Sequence, residues 1–185
     1  MQVPVDQLQL VLLCKEKFVK TFGLGKIFQS IFDEVKEIED VGLELFPDHH
    51  SFGTISYICG DNLGSHSLGG FSENFSNEEY FCRYCLIHKD NLSTKNVYAK
   101  HEIRTKENYN EAVNNNQQNG SFKTKGIKFN SPFNSLKYFH VCAPGLPPCL
   151  GHDLFEGLVS YDLALYMKHF INKKVVHSSV FKSKN

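Results

Sequence analysis

The sequence predicts an α/β domain, and three stretches carry that prediction. Residues 5–14 (VDQLQLVLLC) open on a nearly continuous apolar run, the pattern of a strand buried on both faces. Residues 24–41 place Ile27, Phe28, Ile31, Phe32, Val35 and Ile38 at three- and four-residue steps, the period of a helix with one apolar face. Residues 54–59 (TISYIC) are again β-branched and aromatic, and the run stops at Gly60. Strand, helix, strand with one crossover of this length predicts a parallel pair.

Residues 15–21 are charged and predict a helical turn, with Phe22-Gly23 as a break. On the long helix, Lys26, Asp33, Glu34, Lys36, Glu37 and Glu39 take the face opposite the apolar stripe, and Gly42 suits a left-handed C-terminal cap. That helix reads as a lid on one face of a sheet. Residues 46–52 (FPDHHSF) predict a turn or loop, with His49 and His50 as solvated histidines. After Gly60-Asp61-Asn62, residues 63–75 predict a short helix and then an irregular loop. Residues 91–128 are polar and rich in Asn and Gln, the composition of a connector, with a short helix near residues 107–113. Residues 136–142 (LKYFHVC) suggest a short strand, and Pro147-Pro148 an entrance to a helix reaching about Ile171. The division that follows is a core over 5–75, an insertion and connector over 76–128, a second core segment over 129–172 and a frayed tail over 173–185.

Composition narrows the function classes. In 185 residues, 20 basic side chains balance 20 acidic ones, so no global positive field draws the chain to nucleic acid, and any such contact needs a local patch. No stretch has the length of a membrane span, and the first ten residues, MQVPVDQLQL, lack the basic segment and apolar run of a signal peptide. An intracellular chain is the expectation. The six cysteines then read as packed thiols or metal ligands rather than as a disulfide scaffold.

Three landmarks carry candidate chemistry. Asp61 follows a predicted strand end, where α/β proteins display functional groups, although an Asp there also serves as a local turn cap. Cys82 and Cys85 form the half-site of a zinc knuckle, because the turn between them lets both thiolates face one tetrahedral ion. His88, His101, His140 and Cys142 are the candidates to complete it, and two thiols at a turn with no metal is the alternative. Cys149 and His152 share one side of the first helical turn, an arrangement that read alone is structural. A cysteine nucleophile built on that pair lacks an evident third group to orient it.

The blocks GDNLGSHSLGGFSENFSNEEYFCRYC and FHVCAPGLPPCLGHDLFEG resemble transposon-encoded proteins related to the CACTA-type transposases, over about Leu8 to Phe170. The resemblance implies a ribonuclease H-like catalytic domain with an Asp, Asp, Glu triad. It makes Asp61 the second catalytic Asp, Cys82 and Cys85 the cysteines of an insertion, and Cys149 with His152 the Cys-x-x-His signature. It also implies magnesium or manganese held by carboxylates at adjacent strand ends, DNA as ancestral partner, a partner chain of the same family and a nuclear location. Asn62, Ser65 and His66 become supporting polar groups.

The pattern is incomplete. The chain opens on what would be the third strand of that core, and Asp6 is poorly placed to be the first acid. The third acid belongs on a later helix, and Glu156, one turn after His152, is its stand-in. The expected fold is therefore a partial ribonuclease H-like sheet-and-helix core with a cysteine-containing insertion. The expected function is a fragment of a transposase catalytic domain, without independent cleavage and retaining some nucleic-acid contact. The alternative is a zinc-stabilised protein-interaction module with no nucleic-acid role. Zinc ligands in either case come from Cys82, Cys85, His101 and His140, with Asp61 as the carboxylate for a catalytic metal.

Overall fold

A computed structural model of the chain describes residues 10–92, 101–120 and 124–173. In chain order it contains α1 (Glu16–Ile27), α2 (Gln29–Asp40), β1 (Leu43–Phe46), β2 (His49–Ser51), α3 (Asn62–Gly69), α4 (Lys106–Asn119) and α5 (Ser160–Asn172). Short 3₁₀ turns occupy Lys89–Asn91 and Pro132–Ser135. π-Helical turns occupy Val141–Gly145 and Leu150–Val159, the second running directly into α5. The class is mixed helix and strand, and the strand part is one two-stranded antiparallel sheet, β1 against β2.

The predicted parallel pair is absent among the described residues. Residues 10–15 have no regular structure, and Leu10, Val11 and Leu13 are exposed; residues 5–9, with Asp6, lie outside the described residues. Residues 54–59 are extended but belong to no ladder. Ile55 and Ile58 lean on the core, and the Ile58 N–H donates to the Gly145 carbonyl at 2.8 Å. An apolar run becomes a strand only where a second backbone satisfies its N–H and C=O groups, and here one bond of that kind replaces a ladder. The histidines expected in a loop sit instead on β2, exposed, after a two-residue turn in which Asp48 adopts φ 62°.

The helical expectations fare better. Residues 24–41 divide between two helices: α1 is kinked at Gly23, and Phe28 separates it from α2. Gly42, at φ 81°, follows the end of α2 in the left-handed conformation, and its N–H returns to the Glu37 carbonyl. The apolar face of α2 packs on the 3₁₀ turn at residue 133, with the rings of Phe32 and Phe133 edge to face at 5.0 Å and Phe28 beside them. Buried Glu39 anchors the other end. Burial alone would raise its pKa, but bonds from the Thr54 hydroxyl and the Lys137 and Tyr138 N–H groups outweigh that and lower it.

The polar connector holds the centre of the core. Tyr109, Ala112 and Val113 of α4 are buried, with Asn116 on the same face at the helical spacing. Tyr109 is fully buried. Its hydroxyl donates to the Gly69 carbonyl at 2.8 Å and accepts the Ser131 N–H at 2.9 Å, and Asn116 donates to the Ile127 carbonyl at 2.8 Å. Residues 136–142 form no strand; Leu136, Phe139 and Val141 are buried as an irregular layer between the 3₁₀ turn and the first π-helical turn. The expected core helix of the last segment is present, but none of the residues from Leu150 to Asn172 is buried. The 173–185 tail lies outside the described residues beyond Lys173.

Candidate functional site

Asp61 is the N-cap of α3. Its backbone is extended, and Oδ1 accepts the Gly64 N–H at 2.6 Å, satisfying one of the free donors of the first helical turn. Gly70, at φ 73°, ends the helix, and a Cβ there would meet the Phe129 carbonyl oxygen at 2.2 Å. That close approach lets residues 70–72 pair with 126–128, through Lys128 N–H to Gly70 and Ser72 N–H to Gly126, both at 2.8 Å. Ser65 and His66 are buried on α3. The His66 Nδ1 lies 2.8 Å from the Ser72 carbonyl, and burial lowers its pKa.

The neighbour of Asp61 reaches furthest. Asn62 donates to Asp153 Oδ1 at 2.5 Å and accepts from Arg83 Nη1. Arg83 Nη2 in turn lies 3.3 Å from Asp153 Oδ2. Arg83 sits inside the Cys82–Cys85 loop, and Asp153 directly follows His152. Asp153 Oδ2 also accepts the Cys149 N–H at 2.8 Å, fixing the start of the helix that carries the signature. Neighbours of the three landmarks, far apart in the chain, therefore meet at one polar junction.

On that junction, Cys149 Sγ lies 3.1 Å from His152 Nδ1. The His152 backbone N–H and imidazole both lower the thiol pKa, while hydrogen bonding and charge from Cys149, then Glu156 and Asp61 through space, raise that of His152. The pair is biased towards thiolate and imidazolium, with Asp61 and Glu156 as surrounding carboxylates. Arg83 and Asp153 were not apparent from the sequence. The signal that could have found them is adjacency: each lies beside or between residues of a motif.

The other candidate ligands form no metal-holding cluster among the described residues. In the Cys82–Cys85 loop the Tyr84 N–H points at Cys82 Sγ at 3.3 Å. Burial, then the neighbouring Cys82, raises the Cys85 pKa. The loop pairs with residues 102–104: Leu86 N–H donates to Glu102 and Arg104 N–H to Tyr84, both at 2.8 Å. His88 accepts from the Asp90 N–H at 3.3 Å. His101 is half-buried beside that pairing. His140 is buried elsewhere, its ring edge to face with Tyr109 at 5.2 Å and its Nδ1 accepting the Cys142 N–H at 3.1 Å. Burial pushes its pKa down to about 4, and pushes the Cys142 thiol up to about 12.

Among the described residues no three His, Cys, Asp or Glu side chains are arranged to hold one metal ion. Cys82 and Cys85 are not joined by His101 or His140, and Asp61 is not joined by two further ligands. As arranged, these residues fit neither a closed four-ligand zinc site nor a paired-carboxylate site for two divalent cations. No helix among the described residues is long and apolar enough to cross a membrane. No protein-family model, curated protein or solved structure matches this chain.

Proposed function

We propose that the chain is part of the ribonuclease H-like catalytic domain of a transposon-encoded DNA transposase, without cleavage activity of its own and with residual nucleic-acid contact. The observation that carries this reading is the meeting of Asp61-Asn62, Arg83 and Cys149-His152-Asp153 at one junction. These are the three motif regions of the resemblance, and a common site is the reason such motifs would travel together. Incompleteness has its own support in the helix from Leu150 onward. Leu154, Phe155, Leu158, Tyr161, Leu165 and Tyr166 face outward on more than one side of it. A helix apolar on several sides belongs in an interior, so this one reads as packing against polypeptide other than the described residues. The inactive reading is supported by the carboxylates: among the described residues Asp61 caps a helix through Oδ1, Asp153 is engaged by Arg83, and no cluster able to hold a metal ion is present.

His152, exposed beside the junction with its pKa raised by Cys149, is the group this reading sets against a phosphate. The test is a DNA cleavage and binding assay on the whole chain with magnesium or manganese. Expected are no metal-dependent cleavage, and binding that weakens with salt and with His152→Ala. Cleavage abolished by Asp61→Ala would overturn the inactive reading. Absence of DNA binding at low salt, with stoichiometric zinc lost on Cys82→Ser, would instead establish the zinc-stabilised interaction module. A nuclear location accompanies the transposase reading and is checked by imaging the tagged chain.

A further inference from the structure

A cleft of about 680 Å³ lies between residues 56–59, the Cys82–Cys85 loop, residues 103–104 and residues 141–148. Its size is that of a small-molecule site, and its walls are mostly apolar, with Tyr57, Ile103, Leu146 and Pro147 prominent. Arg83 and Arg104 are among its lining residues. Arg83 is 5% exposed and Arg104 3% exposed, unusual burial for the most strongly hydrated class of side chain.

The protein answers the two charges unequally. Arg83 spends Nη1 and Nη2 on Asn62 and Asp153, and its buried Nε has no hydrogen-bond partner. Arg104 donates to the backbone carbonyls of Lys125 at 2.6 Å, Cys82 at 2.7 Å and Tyr80 at 3.3 Å, and to no carboxylate; Glu78 acts on it through space. Among the described residues the two cations thus have one hydrogen-bonded carboxylate, Asp153, with buried Glu78 acting on Arg104 through space. The wall thiol Cys142 adds no opposing charge, because burial holds it neutral. A buried charged donor without a partner is unfavourable, and an anion seated on Arg83 would satisfy it.

We propose that this cleft binds a small organic carboxylate with an apolar body, the carboxylate set on Arg83 and Arg104 and the body against Ile103, Leu146 and Pro147. The proposal is independent of the transposase reading, since it requires neither DNA nor a metal. The ligand would also cover Cys59, which is exposed and lines the cleft, and not Cys14, which is exposed outside it.

The experiment uses the whole chain, 2-naphthoate as probe and naphthalene-2-carboxamide as its neutral isostere. Iodoacetamide alkylation of Cys59 and Cys14 is followed by peptide mass spectrometry as each probe is titrated. Expected are protection of Cys59 but not of Cys14, and an apparent affinity for the acid about tenfold above that for the amide, the size of one charge-assisted hydrogen bond. Arg83→Gln should erase that difference. Because Arg83 also supports the junction, Ile103→Glu provides a second test at an exposed position. It sets a carboxylate at the cleft wall in place of an apolar contact, and should weaken 2-naphthoate about tenfold more than it weakens the amide. Equal protection by acid and amide, or no protection of Cys59 by 2-naphthoate up to its solubility limit, overturns the proposal.

Discussion

Acidification from pH 7 to pH 4 should destabilise the fold through His140. That side chain is 5% exposed, and its Nε2 has no hydrogen-bond partner. Burial, and then the nearby Lys106 charge, lowers its pKa from 6.5 to about 4. The unfolded chain therefore takes up a proton near pH 6.5, and the folded chain only near pH 4. Between those values the unfolded state binds more protons, so the free energy of unfolding falls as the pH falls; above pH 6.5 the contribution is complete. A gap of about 2.5 pH units, at about 1.4 kcal/mol per unit, sets a ceiling of about 3.5 kcal/mol. His66, lowered mainly by burial, adds a contribution of the same sign. Urea denaturation followed by far-ultraviolet circular dichroism, from pH 7.5 to 4.0, measures the slope. His140→Phe keeps a ring against Tyr109 and removes the titration. It loses the acceptor for the Cys142 N–H, about 1 kcal/mol at pH 7.5, but should flatten the pH dependence to the part owed to His66 and other groups. A variant with the slope of the wild type would refute the assignment.

Two further expectations concern the junction. Asp153→Asn removes the anion paired with buried Arg83, whose side chain is 3% exposed against 22% for Asp153. The stability should drop by about 2 kcal/mol, below the full figure for a buried pair because Asp153 retains solvent; an unchanged denaturation midpoint would dissolve the junction as a structural unit. Asp61→Ala should lower stability by about 1 kcal/mol through the lost cap on α3, while Asp61→Asn, which caps as well, should be nearly neutral. If Asp61→Asn instead abolishes a measured magnesium or manganese affinity, the carboxylate has a metal-binding role beyond the cap.

What the sequence determined by itself is local. The apolar stripe of α2, the left-handed glycine after it and the cap-ready Asp61 before α3 depend on periods and backbone conformations within about one helical turn. What it obscured has two causes. Residues 10–14 and 54–59 carry strand composition, yet strand formation depends on a neighbouring backbone that composition cannot specify. In α4, only a few of many Asn- and Gln-rich positions face inward. The spacing of Tyr109, Ala112, Val113 and Asn116 was present in the text, but its average polarity pointed to a connector.

The candidate site shows the same division. Each of its motifs was legible alone, and Cys149, Glu156 and Asp61 all act electrostatically on His152. Tertiary structure decided what joins them: Asn62 to Arg83 across 21 residues, Arg83 to Asp153 across 70, and Asn62 to Asp153 across 91. Among the described residues it gathers no three cysteine or histidine side chains into one metal-holding group. A helix cap is set by bonds between residues three apart, whereas the partner of a buried guanidinium is whichever carboxylate the packing brings within reach. That choice is made by the closed chain, after the local elements exist.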